Sequence, residues 1–149
     1  MPEAEPSDPR VRVYVYRHIV EHGRPPTVAE TATGMNLPPD DVRAAYGRLH
    51  DRHALFLEPG ADTIRMAWPF SGVPTPFRVH ANGRRYWANC AWDALGIPAL
   101  LQADARIEFV FADTGGPASL TVADGRVHGP GLAHFAVPFR RWYADIVFT

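Results

Sequence analysis

The chain has 149 residues and a formal net charge of −1, with 46% hydrophobic and 21% charged residues. These ordinary globular values exclude collagen-like, disordered and disulfide-scaffold proteins. All 15 basic residues are arginine. Because a dedicated nucleic-acid-binding protein should show a basic excess, the near-zero charge argues against that class.

The N-terminal sequence MPEAEPSDPR is acidic and proline-rich and lacks the apolar stretch of a signal peptide. No apolar run approaches the roughly 20 residues that a membrane helix needs. Cys90 is the single cysteine, which excludes an intrachain disulfide and a cysteine-rich metal site. We therefore expect a cytoplasmic protein without membrane contact, with a flexible tail over residues 1–9.

The sequence VRVYVYRHIVEH, which follows the tail, fits two periodicities. Val11, Val13 and Val15 alternate as in a strand, whereas Val11, Val15 and Ile19 have helical spacing. Because the segment is about 13 residues long and is followed by Gly23, we predict a helix.

Two further helices are predicted before residue 55. Thr27 and Glu30 have the spacing of a capping box, which predicts a short helix ending near Gly34. A third helix is predicted to begin at residues 38–40. Its apolar stripe consists of Val42, Ala45, Tyr46 and Leu49.

Two short strands around a turn at residues 59–62 follow these helices. This order is typical of a winged helix-turn-helix, so we predict a winged-helix-like subdomain over residues 10–68.

A DNA-reading helix should begin with basic residues, but the third helix begins with Asp40 and Asp41, which repel phosphate. Residues 1–69 hold 8 arginines and 10 acidic residues, so we expect no sequence-specific DNA binding. The alternative is a local basic stripe formed by Arg43, Arg48 and Arg52.

The sequence pattern of residues 69–149 predicts a core domain of antiparallel strands packed on one helix. With the helical N-terminal subdomain, the predicted fold class is α+β. The connector at residues 70–76 is expected to cover the functional site. Asn82-Gly83 is a strong hairpin turn. Asn89 is the expected N-cap of the helix, which Pro98 limits or kinks. Later strands are predicted at residues 106–111, 119–122 and 142–149.

The start of this helix carries the main chemical signal, Cys90 with Asp93 three residues later. Unpaired N–H groups and the helix dipole should favour a thiolate and lower the pKa of the Cys90 thiol. Asp93 lies on the same helix face. A soft anionic sulfur beside a carboxyl suits capture of a soft electrophile or metal, with the carboxyl handling a proton. The alternative is a buried structural cysteine beside an aspartate that only complements the dipole.

The surrounding sequence resembles the core of the organomercurial (alkylmercury) lyase family. That core shows an Arg-Arg strand, a Cys-x-x-Asp pair, a Leu-x-x-Pro-Ala-Leu run and a Thr-Gly-x-Pro-x-Ser-Leu-Thr-Val segment. These are here Arg84-Arg85, Cys90 with Asp93, residues 95–100 and residues 114–122. Their order and spacing agree over about 40 residues. A winged-helix-like region before the core is also a family feature.

The resemblance implies an enzyme that cleaves carbon–mercury bonds by protonolysis. Cys90 corresponds to the thiolate that binds mercury and Asp93 to the carboxyl that handles the proton, and both belong to the mercury site. Mercury(II) is soft, and thiolate is its best protein ligand. Mercury is substrate and product here, so no cofactor is implied. The expected partners are a small organometallic or electrophilic substrate and low-molecular-weight thiols.

The sequence departs from the family pattern in its cysteines. The family uses a second thiol in the C-terminal region, and no second cysteine occurs here. Either the chain stops just before that residue or it is a variant with another role. A third family cysteine corresponds to Phe111, which indicates a packing substitution. Two other functions stay open: a non-enzymatic thiol-based binder or sensor of heavy metals or electrophiles, and a diverged family member acting on another small substrate.

The histidines give one weaker metal candidate. His18 and His22 are four residues apart on the first predicted helix, a spacing that can hold a metal ion. No third ligand follows nearby in the sequence, so we interpret both as surface or half-buried residues. The other histidines are His50, His53, His80, His128 and His134.

Overall fold

The computed structural model describes residues 7–135 and 137–146, and it has an α+β architecture. Its α-helices are α1 (Asp8–His22), α2 (Val28–Met35), α3 (Pro39–Asp51) and α4 (Ala91–Leu101). Its strands are β1 (Phe56–Leu57), β2 (Ile64–Ala67), β3 (Phe70–Ser71), β4 (Phe77–Ala81), β5 (Arg84–Ala88), β6 (Ala105–Val110), β7 (Pro117–Ala123) and β8 (Arg126–His128). A 3-10 helix covers Phe139–Ala144. Within the described ranges, none of the helices combines the length and apolar character that crossing a bilayer requires.

The first helix confirms the helical interpretation of the valine-rich segment. Val11, Val15 and Ile19 lie on one buried face, whereas Val13 is 49% exposed. A strand would have placed all three valines on the same side. The helix ends at Gly23, which has a φ of 75° and donates its N–H to the Ile19 carbonyl at 2.7 Å.

The predicted tail was wrong at its C-terminal end, because α1 already begins at Asp8. Asp8 is fully buried and accepts hydrogen bonds from the guanidinium groups of Arg48 in α3 and Arg52 directly after it. Its Oδ1 lies 2.8 Å from Arg48 Nη2, and its Oδ2 lies 2.6 Å from Arg52 Nη2. These ion pairs hold the start of α1 against α3. Residues 1–6 of the predicted tail lie outside the described residues.

The three arginines considered as a DNA-binding stripe are therefore paired with carboxylates of the same chain. Arg48 and Arg52 pair with Asp8, and Arg43 pairs with Asp40 and Asp62 at 2.7 and 3.0 Å. A phosphate would have to compete with a carboxylate for each of the three guanidinium groups. The absence of sequence-specific DNA binding stays a prediction, and this pairing supports it.

Replacing Asp8 with alanine should destabilise the protein by about 3 kcal/mol, since two partly buried guanidinium groups would lose their shared carboxylate. The change should appear as a lower urea midpoint with an unchanged slope. Asp62→Asn is the matched control, because it breaks the exposed pair with Arg43 and should shift the midpoint little. Equal midpoints for both variants would show that the buried pairs do not stabilise the fold.

Helices α2 and α3 form as their sequence signals predict. Thr27 Oγ1 accepts the Glu30 N–H at 3.1 Å, and the Glu30 carboxylate accepts the Thr27 N–H at 2.8 Å, which completes the capping box. A buried 2.7 Å hydrogen bond between the hydroxyls of Thr31 and Tyr46 joins the two helices. Both polar groups are thereby satisfied inside the core.

The strands form one antiparallel sheet in the order β1-β2-β3-β5-β4-β6-β7-β8. The hairpin of β4 and β5 turns at Asn82-Gly83, whose φ angles of 50° and 71° confirm the predicted two-residue turn. Strands β2 and β3 pair with each other although they lie on either side of the predicted boundary at residue 68. The sheet therefore continues from the N-terminal region into the core domain.

One face of the sheet supports α4 and thereby sets the position of its N-terminus. Val79, Tyr86 and Ile107 from β4, β5 and β6 are almost completely buried in the same cluster as Ile97 of α4. Because only Asn89 and Cys90 separate β5 from α4, the first turn of the helix is fixed at the end of a central strand.

The predicted final strand over residues 142–149 was wrong where the structure describes it. Residues 142–144 belong to the 3-10 helix and residues 145–146 to the bend and turn after it, while residues 147–149 lie outside the described residues. Phe139, Trp142 and Tyr143 have helical i, i+3, i+4 spacing, which competes with the alternation of the sequence. Tyr143 stacks on His53 with ring centroids 4.4 Å apart, so ring contacts rather than strand pairing hold this segment.

Candidate functional site

Cys90 forms the N-cap of α4, which corrects the assignment of that role to Asn89. Cys90 has extended φ and ψ angles of −151° and −178°, and its carbonyl accepts the Ala94 N–H at 2.9 Å. Its side chain makes no cap hydrogen bond. A thiol is a poor capping group, so the helix start is held by the preceding strand and by packing.

Asn89 instead joins the end of β5 to the neighbouring connector and to α4. Its amide nitrogen lies 3.3 Å from the carbonyl oxygens of Pro69 and Phe70 and 3.0 Å from Oδ2 of Asp93. The sequence shows an asparagine before a helix, which usually indicates a cap. Only the folded chain brings the connector beside it, so these contacts had no local signal.

The predicted lowering of the Cys90 pKa was wrong, because the effect of burial on the thiol is larger than the effect of the helix N-terminus. Burial raises the pKa of the thiol, and the negative charge of the Asp93 carboxylate raises it further. Backbone N–H groups of Asp93 and Trp92 act in the opposite direction but do not outweigh burial. The resting Cys90 is therefore mainly a neutral thiol at neutral pH.

Burial also raises the pKa of the Asp93 carboxyl. The Asn89 N–H and the Cys90 thiol both lower this pKa, in that order of importance. Asp93 and Cys90 are thus close enough for each group to influence the pKa of the other. The first turn of α4 places both predicted side chains at the same cavity, and their roles in catalysis stay a prediction.

A cavity of about 370 Å³ opens over this pair. Its walls are largely aromatic and apolar and come from β2, the loop after it, α4 and the described residues 133–135 and 137–146, named segment 133–146 below. The lining side chains besides Asn89, Cys90 and Asp93 are Met66, Trp68, Ala91, Trp92, Ala133, His134, Phe135, Val137, Phe139, Trp142 and Ile146. The expectation that residues 70–76 cover the site was therefore wrong: the cover comes from segment 133–146.

Ring contacts hold segment 133–146 over the helix. Phe135 contacts Trp92 of α4 at a centroid distance of 6.1 Å and Trp142 at 6.0 Å. Tyr143 contacts Trp68 at 5.8 Å on the other side of the cavity. The sequence shows the aromatic residues but not which of them contact one another, so it could not indicate which of them line the site.

The histidines do not form the considered metal site. His18 and His22 stack at 4.1 Å, and His22 Nδ1 lies 3.1 Å from the His18 carbonyl oxygen. Burial lowers the pKa of His18. No group of three or more metal-binding side chains occurs among residues 7–135 and 137–146. His134, which the sequence did not single out, is the histidine that lines the Cys90 cavity.

Comparison with known proteins identifies the family. The sequence profile described as alkylmercury lyase matches residues 70–145, which include Cys90 and Asp93. An alkylmercury lyase from Streptomyces lividans is 31% identical over 122 residues, which are 78% of this chain and 53% of that protein. The chain thus spans about half the length of this curated relative.

A solved structure has the same fold. The crystal structure of the mercury-bound form of MerB2 superposes with a TM-score of 0.67 at 23% identity, covering 85% of this chain and 60% of that one. The two proteins therefore share the α+β architecture described above. From the profile match over half of its length and the similarity to the Streptomyces protein, the chain belongs to the alkylmercury lyase family.

Proposed function

We propose that this protein captures organomercurials on Cys90 and cleaves their carbon–mercury bond with a proton held by Asp93. The observation that carries the proposal is the pairing of these two groups at the start of α4, beneath an aromatic cavity. A soft sulfur ligand and an acid lie side by side, and the walls suit an apolar organic group.

The raised pKa of the Cys90 thiol supports a proton transfer as the first step. When mercury binds, the Cys90 thiol loses its proton to Asp93, and a sulfur–mercury bond replaces the bond to the outgoing ligand. The burial that raises the Asp93 pKa favours the neutral carboxyl, which then holds this proton. After capture, the mercury-bound carbon therefore lies beside a protonated Asp93.

In the second step the proton passes from Asp93 to the mercury-bound carbon. The carbon–mercury bond breaks, its electron pair forms the new carbon–hydrogen bond, and the hydrocarbon leaves. Mercury(II) remains on Cys90 next to the Asp93 carboxylate, which offsets its charge. Mercury is substrate and product in this scheme, and no resident cofactor takes part.

Because Cys90 is the single cysteine, mercury needs a thiolate from outside the chain to complete its coordination. We therefore propose low-molecular-weight thiols as partners. The same observation favours a second candidate function, in which the chain binds heavy metal on Cys90 without turnover.

Benzene release from phenylmercury should therefore depend strongly on added thiol. Without thiol we expect at most one slow turnover, with mercury kept on Cys90. With a small thiol we expect repeated turnover, because the external thiolate both coordinates mercury and removes the product. Gas chromatography of benzene and mercury analysis of the desalted protein measure both quantities. Mercury retention without benzene under either condition would favour the binder, and full turnover without thiol would contradict the proposed thiol requirement.

A further inference from the structure

Three oxygen atoms surround the side-chain nitrogen of Asn89. They are the carbonyl oxygens of Pro69 and Phe70, each at 3.3 Å, and Asp93 Oδ2 at 3.0 Å. All three atoms accept hydrogen bonds from the two N–H groups. Turning the amide over would place its oxygen against these three oxygens, so the orientation of Asn89 is fixed by its surroundings.

The other end of the same amide has no such partners. Asn89 Oδ1 is buried and accepts no hydrogen bond from the residues that the structure describes. An unsatisfied buried acceptor is uncommon and marks a place where another requirement outweighs hydrogen bonding. Here the orientation that leaves Oδ1 unsatisfied is the one that directs an N–H group to Asp93.

The bond to Asp93 restricts where the carboxyl can hold its proton. An oxygen that accepts an N–H at 3.0 Å cannot carry a proton directed at the same nitrogen. The proton of a neutral Asp93 is therefore placed on Oδ1. That oxygen is left for exchange with the Cys90 thiol, whose hydrogen bond to this carboxyl lowers the carboxyl pKa.

We propose that Asn89 is a positioning residue, which holds Asp93 through Oδ2 so that Oδ1 takes the proton of Cys90 and delivers it to carbon. This inference rests on the proposed function for the delivery step, but the hydrogen bond itself can be tested without turnover. Asn89 contacts neither mercury nor the organic group in this scheme and acts only through Asp93.

The test compares two Asn89 variants with a matched structural control. Asn89→Ala removes the N–H donor, and Asn89→Asp keeps the shape but replaces the donor with a second carboxyl. Thr75→Val is the control, because the Thr75 hydroxyl donates to the Ala88 carbonyl at 2.5 Å and supports the same end of β5 without touching Asp93.

The first readout is the titration of the Asp93 carboxyl by NMR in protein with ¹³C-labelled aspartate, assigned by comparison with Asp93→Asn. The hydrogen bond favours the charged form, so Asn89→Ala should raise the midpoint by about one pH unit. Asn89→Asp should raise it at least as much, because two adjacent carboxyls resist simultaneous ionisation. Thr75→Val should leave the midpoint unchanged.

The second readout separates mercury capture from cleavage. Both Asn89 variants should bind one equivalent of mercury as the unaltered protein does, while benzene release falls about 100-fold, as expected for a misplaced reacting group. If the Asp93 midpoint moves no further in the Asn89 variants than in Thr75→Val, the positioning role is wrong and Asn89 is only structural. If the unaltered protein releases no benzene but the midpoint still shifts, the proposed function fails while the Asn89–Asp93 coupling stands.

Discussion

Replacing Cys90 with serine should abolish both the binding of one equivalent of mercury and the release of hydrocarbon. A hydroxyl is a hard, weakly acidic ligand, whereas mercury(II) prefers a soft thiolate. The variant has no thiol, since Cys90 is the single cysteine of the chain. Mercury analysis after desalting and gas chromatography of benzene from phenylmercury give the two quantities, and we expect both to fall to background.

Ala91→Ser is the matched control for this change, because it introduces the same hydroxyl one residue later and retains the thiol. It should keep stoichiometric mercury binding. If Cys90→Ser still held one equivalent, the ligands would have to be other side chains, with His134 the first to examine because it lines the same cavity. That result would remove the basis of the proposed capture step.

Local structure was predicted correctly where all the interacting groups lie within a few residues of one another in the sequence. The Thr27–Glu30 capping box and the Asn82-Gly83 turn each contain their own hydrogen-bond donors, acceptors or backbone preferences. The pairing of Cys90 with Asp93 is similar, because three residues along a helix suffice to place both side chains on one face. The Cys90–Asp93 pair of the candidate site could therefore be predicted from a single helical turn.

The remainder of the site depends on residues distant in sequence. The Cys90 pKa depends on burial, and much of the cavity wall comes from segment 133–146, more than 40 residues later. Asn89 could not be recognised as a partner of Asp93 until the Pro69 and Phe70 carbonyls were placed beside it. Helix-dipole reasoning gave the wrong sign for the thiol because desolvation is the larger effect.

The segment at residues 142–146 shows why periodicity alone was insufficient there. Its alternation fits a strand, but Phe139, Trp142 and Tyr143 also fit one face of a helix. The His53 and Trp68 rings provide a surface for Tyr143, and the Phe135 ring does so for Trp142. Tertiary packing decided between two patterns that the sequence satisfies equally.

The Asp93→Asn variant should retain mercury capture but lose about 1,000-fold in hydrocarbon release. An amide of the same size fills the same space, so Cys90 and the cavity remain, but the amide cannot accept the thiol proton and return it to carbon. Phenylmercury should therefore accumulate on Cys90 with its ring still attached. Mass spectrometry of the intact protein distinguishes this adduct from bound mercury(II), and Asp113→Asn, at an exposed turn, is the control that should behave like the unaltered protein.

The same variant should also change the acidity of Cys90, which gives a measurement independent of turnover. In the unaltered protein, burial and the Asp93 carboxylate together raise the thiol pKa, so alkylation by iodoacetamide should have a midpoint above the usual value of about 8.5. Removing the negative charge removes one of these causes, so the midpoint in Asp93→Asn should move to lower pH. The variant thiol would then be the more reactive one at neutral pH, although the variant is the poorer catalyst. A slower-reacting thiol would show that Asp93 does not act on Cys90 as a charge, and undiminished benzene release would show that Asp93 does not supply the proton.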